Sequence, residues 1–175
     1  MNPALAPGAT TIWFSPARSG EGNGAFVTSS YYASELPQWV RDFNALPQWH
    51  PGIADSRIEN GEPPDKVGCI RNFHTRDGGR IREKLLALSD FDYSCTYSIL
   101  ESPMGVENYV ATLKLTPVTD GGRTFAEWSA EFDCEPRREQ ELSDLIGGQV
   151  FQGGFDAFLV KPVDRNQLRA SLGAE

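Results

Sequence analysis

Positive charge is in short supply in this sequence. Sixteen lysines and arginines face 24 aspartates and glutamates, which leaves the 175-residue chain with a formal net charge of -8. Such a chain repels phosphate backbones and anionic headgroups at long range, so generic nucleic-acid binding and membrane-surface binding are excluded as expectations. Long apolar runs are missing as well. None approaches the roughly 18 to 20 residues of a membrane span, and Ile12-Trp13-Phe14 near the start is too short for the apolar region of a signal peptide. These two absences predict a cytoplasmic protein without membrane insertion. Cysteine and histidine are few. Cys69, Cys95 and Cys134 are odd in number, far apart and form no CxxC pair, and only His50 and His74 accompany them. Neither a disulfide framework nor a metal site follows from such a set, and no cofactor is expected. A GxSxG turn is absent, which removes the hydrolase signature. Gly20-Glu21-Gly22-Asn23-Gly24 superficially suggests a phosphate loop, but it lacks the preceding strand and the Gly-Lys-Ser/Thr ending.

What is present suits one domain. Hydrophobic residues make up 39% of the chain, enough for a core, and 17 glycines and 12 prolines are spread along it as turns. Residues 1–24 read as a poorly ordered extension, 25–161 as the domain and 162–175 as a tail. A short strand is expected over 25–30 and a short helix over 35–43, with Ser34 as its N-cap. Pro47 and Pro51 then bracket a rigid loop or a broken second helix. From residue 53, turn clusters such as Asp77-Gly78-Gly79 and Asp120-Gly121-Gly122 cut out six strands, approximately 53–59, 68–75, 80–88, 93–100, 107–116 and 123–133. Short connections make them an antiparallel meander.

Alternation sets the faces. Lys114 marks the outside of its strand, which turns Tyr109, Ala111, Leu113 and Leu115 inward; Ala126, Trp128, Ala130 and Phe132 alternate with Glu127, Ser129 and Glu131 in the same way. Arg80, Arg82 and Lys84 mark another outer face, a solvated one, so Ile81, Glu83 and Leu85 point inward. After Pro136, apolar positions at helical spacing predict one long amphipathic helix over 137–160, packed on the inner face of the sheet. Its Gly147-Gly148 and Gly153-Gly154 pairs cost about 1 kcal/mol per glycine relative to alanine, so close packing or a bendable segment has to justify them.

Glu83 is the sharpest candidate for chemistry. An inward carboxylate among apolar residues has its pKa raised by desolvation and can act as an acid, a base or a polar anchor, unless a salt bridge to Arg71 on the neighbouring strand absorbs it. Tyr97, Tyr109 and Trp128, on three successive strands, offer an aromatic lining with hydroxyls. His50 belongs to the loop that closes one end, where a structural role outweighs titration. His74 faces in or out according to the length of the hairpin loop at Asp77-Gly78.

The segments VRDFNALPQWHPGI (40–53), GGRIREKLLALSD (78–90), YSILESPMGVENYVATLKLTPV (97–118), FAEWSAEFD (125–133) and the GG-containing helix (147–158) resemble the START-like or Bet v I-type superfamily (SRPBCC), in its polyketide cyclase/dehydrase branch. The resemblance implies an α+β helix-grip fold. A curved antiparallel sheet of six or seven strands wraps around a long C-terminal helix, with two short helices near the N-terminus and a cavity between sheet and helix. It implies ligand contacts from Trp49, His50, Arg71, Glu83, Tyr97, Tyr109, Leu113, Trp128, Phe132, Phe151 and Phe155. The expected role is a soluble, lipid-binding type of protein whose partner is a hydrophobic or aromatic small molecule. Two rivals stand beside it: a cyclase/dehydratase-like enzyme moving protons with Glu83 and a cavity tyrosine, and a ligand-gated adaptor resembling plant hormone receptors of this fold.

Overall fold

The computed structural model describes residues 24–33, 41–118 and 123–160. The expected extension before residue 24, the tail 162–175 and most of the helix expected over 35–43 lie outside these residues. Seven strands form one sheet: β1 (Gly24–Ala33), β2 (Ile53–Ile58), β3 (Ile70–Thr75), β4 (Arg80–Ser89), β5 (Ser94–Glu101), β6 (Glu107–Val118) and β7 (Arg123–Asp133). Their spatial order is β1-β7-β6-β5-β4-β3-β2, and every neighbouring pair is antiparallel. The meander is thus closed at one side by the first strand, which returns to pair with the last.

The inward residues form one core. Tyr109, Ala111, Leu113 and Leu115 of β6 and Ala126, Trp128, Ala130 and Phe132 of β7 are all buried, and so are Ile81, Glu83 and Leu85 of β4. The β3–β4 register places Phe73 opposite Ile81 and Arg71 opposite Glu83. His74 therefore falls opposite Arg80 and faces out, with Nδ1 2.9 Å from Asp55 Oδ1. Gly78, at φ 91, takes the left-handed conformation that this hairpin turn requires. Farther along β4 a bulge between Leu85 and Ala87 restarts the alternation one residue later, so that Leu88 lies opposite inward Cys95. On the outer face Arg82 is only 22% exposed. It bridges Glu59 and Glu101, so that face is a paired network as well as a solvated one.

Two helical expectations change. The N-terminal region shows a single short helix among the described residues, α1 (Leu46–Trp49), with Pro47 in its first turn. Residues 41–43, the end of the other expected helix, are not helical. There the Asp42 carboxylate accepts the Asn44 N–H at 2.8 Å, a local bond that competes with helix formation. The C-terminal element is also not one uninterrupted α-helix. A 3-10 turn at Pro136–Arg138 leads into α2 (Glu139–Asp144), a π-helical segment Leu145–Gln152, and α3 (Gly153–Val160). Gly147 and Gly148 sit inside the π segment, where missing side chains weaken the preference for the tighter α turn.

The glycines of this helix divide by what surrounds them. A Cβ on Gly154 would lie 3.1 Å from both the His50 ring and Trp128 and 3.2 Å from Trp49, whereas one on Gly148 or Gly153 would meet nothing within 4 Å. Of these three, Gly154 is the one that close packing onto Trp128 and the α1 region requires. Gly154→Ala should therefore destabilise the fold by about 1–3 kcal/mol through overpacking, and Gly153→Ala should stabilise it by about 0.5–1 kcal/mol. Urea denaturation of the two variants checks this; effects of the same sign would contradict it.

Candidate functional site

Between the inner face of the sheet and the π-helical segment lies a cavity of about 380 Å3. Exposed Arg76, Asp77, Pro103 and Gln149 border it where it meets the surface. Its walls are mostly apolar: Phe73 and Ile81 from β3 and β4, Ile99 from β5, Met104 from the β5–β6 connection, and Leu145, Ile146 and Val150 from the helix. Polar groups gather at Arg71, Glu83, Tyr97 and Tyr109, all buried.

Arg71 and Glu83 are 6% and 5% exposed. Arg71 donates from Nε to Glu83 Oε2 at 2.6 Å, its Nη2 reaches the same oxygen at 2.5 Å, and Nη1 donates to the Phe43 carbonyl at 2.7 Å. The guanidinium also stacks 4.0 Å over the Phe43 ring and 5.1 Å from the Tyr97 centroid, the geometry of a desolvated cation–π contact. Both charged bonds fall on one carboxylate oxygen, and Oε1 receives no bond from any described residue. Among the described residues no buried side-chain oxygen is left without a partner, and Glu83 borders the cavity, so Oε1 has access to it. Burial pushes the Glu83 carboxyl above the usual carboxylate range, and the Arg71 charge and hydrogen bond pull against it; two guanidinium donors on one oxygen keep the pair ionic.

The tyrosines extend this polar end. Trp128 Nε1 donates to the Tyr97 hydroxyl at 3.0 Å. Burial raises both phenols well above their ordinary value, first by desolvation and then by neighbouring groups that include the Glu83 charge. They remain protonated donors under all ordinary conditions. Behind them Phe132 stacks on Tyr109 with ring centroids 6.1 Å apart, and Phe151 stacks on Trp128 at 4.5 Å.

The match to a family model decides where the chain belongs, for it spans residues 27–165, nearly all of the fold just described. The chain is a member of the polyketide cyclase/dehydrase and lipid transport family. Solved structures agree with this. An uncharacterised protein of Bacillus thuringiensis is 28% identical with a TM-score of 0.67, over 77% of this chain and 96% of that one. The XoxI protein of Bacillus cereus is 27% identical with a TM-score of 0.66, over 86% and 99%. A ginseng major latex-like protein, at 15% identity, TM-score 0.58, and 77% and 94% coverage, shares the fold. No curated protein matches the sequence. The fold is thus the helix-grip arrangement of this family, a curved seven-stranded sheet holding a C-terminal helix.

Within this family member, six residues singled out in the sequence border the cavity together: His50, Arg71, Glu83, Tyr97, Tyr109 and Trp128. The others stand elsewhere. Trp49 and Leu113 border a separate void of about 20 Å3, and Phe132, Phe151 and Phe155 support the wall from behind by stacking or edge contacts. Sequence reasoning passed over Ile53, Phe73, Ile99, Met104 and Gln149. Phe73 was accessible to it, since a strand that turns Glu83 inward opposite Arg71 must turn Phe73 inward too; Met104 and Gln149 carried no signal. Among the described residues no three His, Cys, Asp or Glu side chains converge to hold a metal, and no helix is long and apolar enough to cross a membrane.

His50 proves to be a structural clasp. Its Nε2 donates to the Val150 carbonyl at 2.8 Å and its Nδ1 accepts the Gly52 N–H at 3.1 Å, a pattern that fixes the neutral Nε2–H tautomer. Burial lowers its pKa, the Val150 hydrogen bond opposes this, and the Arg71 charge lowers it further. An unfolded histidine titrates near pH 6.5. As pH falls through that value the unfolded chain takes up a proton that the folded chain refuses. The stabilisation is therefore complete above about pH 6.5 and declines below it, by at most about 1.4 kcal/mol per pH unit. The melting temperature should fall between pH 7.5 and 5.5 by more in the wild type than in His50→Gln; parallel profiles would contradict the assignment.

Proposed function

We propose that this protein binds a hydrophobic or aromatic small molecule in the cavity between sheet and π-helical segment. The observation that carries the reading is the cavity itself. At about 380 Å3 it lies within the range of roughly 300–1,000 Å3 occupied by small-molecule sites, and it has their composition, apolar walls with a few convergent polar groups. Family membership supports the same reading, since the family's description includes lipid transport. The ligand's apolar body would lie against Phe73, Ile81, Ile99 and Ile146, and its polar end would meet Glu83 Oε1 and the Tyr109 hydroxyl.

A second reading is an enzyme of the cyclase or dehydratase kind. It is favoured by a carboxyl whose proton affinity is raised by burial and which shares the cavity with two tyrosines. Such a group can take a proton from a carbon next to a carbonyl and return it to a departing hydroxyl, while the cavity holds the chain folded for ring closure. The adaptor reading has no comparable observation behind it.

One experiment addresses both. The protein is incubated with a panel of apolar and aromatic probes that includes poly-β-carbonyl esters; its melting temperature is followed, and every probe is then recovered and weighed by mass spectrometry. A ligand of the native state must raise the melting temperature. A concentration-dependent rise with the probes recovered intact supports the binding protein. Loss of water from, or cyclisation of, a poly-carbonyl probe supports the enzyme. No stabilisation by any probe would overturn the binding reading.

A further inference from the structure

We infer that Glu83 serves as the fixed counter-ion of Arg71 and so makes the cavity select ligands whose polar end is uncharged, an amide or hydroxyl, over the matching carboxylates. This rests on the binding reading above and deepens it to a ligand class. Four charged side chains border the cavity: Arg71 and Arg76 against Asp77 and Glu83. Their sum is zero. Arg76 and Asp77 are at the exposed rim, where Arg76 Nε donates to the Pro51 carbonyl at 2.7 Å and the Asp77 carboxylate accepts the Thr75 hydroxyl. Deep in the cavity Arg71 is the cation that a carboxylate ligand would seek. It is already neutralised by Glu83 at 2.6 Å and bound to the Phe43 carbonyl.

A carboxylate at this depth would bring an unbalanced negative charge into a poorly solvated space and set it against Glu83 Oε1. Burying a charge without a free partner is unfavourable, and like charges side by side add to the penalty. Among the described residues the other polar groups at this depth do not relieve it, and Arg76 stands at the rim. His50 is held neutral with both ring nitrogens engaged, and Tyr97 and Tyr109 are uncharged phenols. An amide N–H or a hydroxyl, in contrast, donates to Oε1, and its carbonyl or oxygen accepts from the Tyr109 hydroxyl, which satisfies both sides without adding charge. Glu83 is in this sense a residue that sets specificity by charge.

The test uses matched pairs that differ in charge and little else: 2-naphthamide and 2-naphthoate, 4-phenylbenzamide and 4-phenylbenzoate, dodecanamide and dodecanoate. Binding to the full chain is measured by titration calorimetry at pH 7.5. The wild type should bind at least one amide at least about tenfold more tightly than its carboxylate partner. Glu83→Gln leaves Arg71 uncompensated and should reverse the order, with the carboxylate preferred by about tenfold. Arg71→Gln/Glu83→Gln, neutral at both positions, should keep the preference for the amide. An unreversed order in a folded Glu83→Gln would overturn the role of Glu83, and where that variant does not fold the wild-type ratio still tests the ligand class. Equal binding of the two members of every pair, or preference of the wild type for a carboxylate, would overturn the inference while leaving the binding reading in place. Failure of all amides and all carboxylates to bind would overturn the binding reading and the inference with it.

Discussion

The buried contact between Arg71 and Glu83 is the constraint on which the cavity end of this structure depends. Moving two charges out of water costs several kcal/mol per ion, and only good geometry with further hydrogen bonds repays it. The fold supplies both. The β3–β4 register sets the two residues opposite each other, the Phe43 carbonyl takes a third guanidinium bond, and the rings of Phe43 and Tyr97 cover the cation. Because Phe43 precedes α1, the same arginine ties the α1 region to the sheet. A slip of one residue in the β3–β4 pairing would turn one charge outward and leave the other buried alone, so the pair penalises every competing register.

Across the cavity the opposing wall depends on a different kind of contact. Gly154 lets α3 come down onto Trp128, Trp49 and the His50 ring, and Phe151 stacks on Trp128. The π-helical segment brings the Val150 carbonyl to His50 Nε2. Close approach at one end of the helix and a widened turn beside it leave the space that the apolar walls enclose. Steric fit thus governs the helix side, and charge pairing governs the sheet side.

The strands were legible because their alternation is clean: the bounds expected for β4 through β7 fall within about two residues of those observed, and Glu83 stood out as the one carboxylate in an inward series. The β3–β4 hairpin was not decided, since Asp77-Gly78-Gly79 accommodates more than one loop length, and only pairing of Arg71 with Glu83 settles that His74 faces out. The bulge at Leu85/Ala87 left no mark either, because Leu85-Leu86-Ala87-Leu88 is apolar on both faces. In the helix, the spacing of apolar residues hardly distinguishes a π turn from an α turn over eight residues, and local bonding at Asp42 competes with helix formation at 41–43, the described end of the expected first helix. The aromatic cavity residues were found because they are large and inward. Phe151 and Phe155 were equally large and inward, yet they support the wall, a difference that depends on where the helix leaves space and not on residue type.

Family membership fixes the architecture and a general kinship with lipid carriers and cyclases, but folds of this kind host unrelated activities. The cavity of this chain holds a neutralised charge pair, two phenols that stay protonated, and a histidine committed to structure. The space between them is open and apolar, held by Arg71 and Glu83 on one side and Gly154 on the other. A crystal structure of the protein under xenon pressure tests this most directly, since the gas enters apolar cavities without needing a polar partner. A xenon peak bordered by Ile81, Tyr109 and Ile146, with Arg71 still bound to a single Glu83 oxygen, is the predicted result. A volume filled by Trp128 or Phe151, with no xenon and with Glu83 turned away from Arg71, would contradict it.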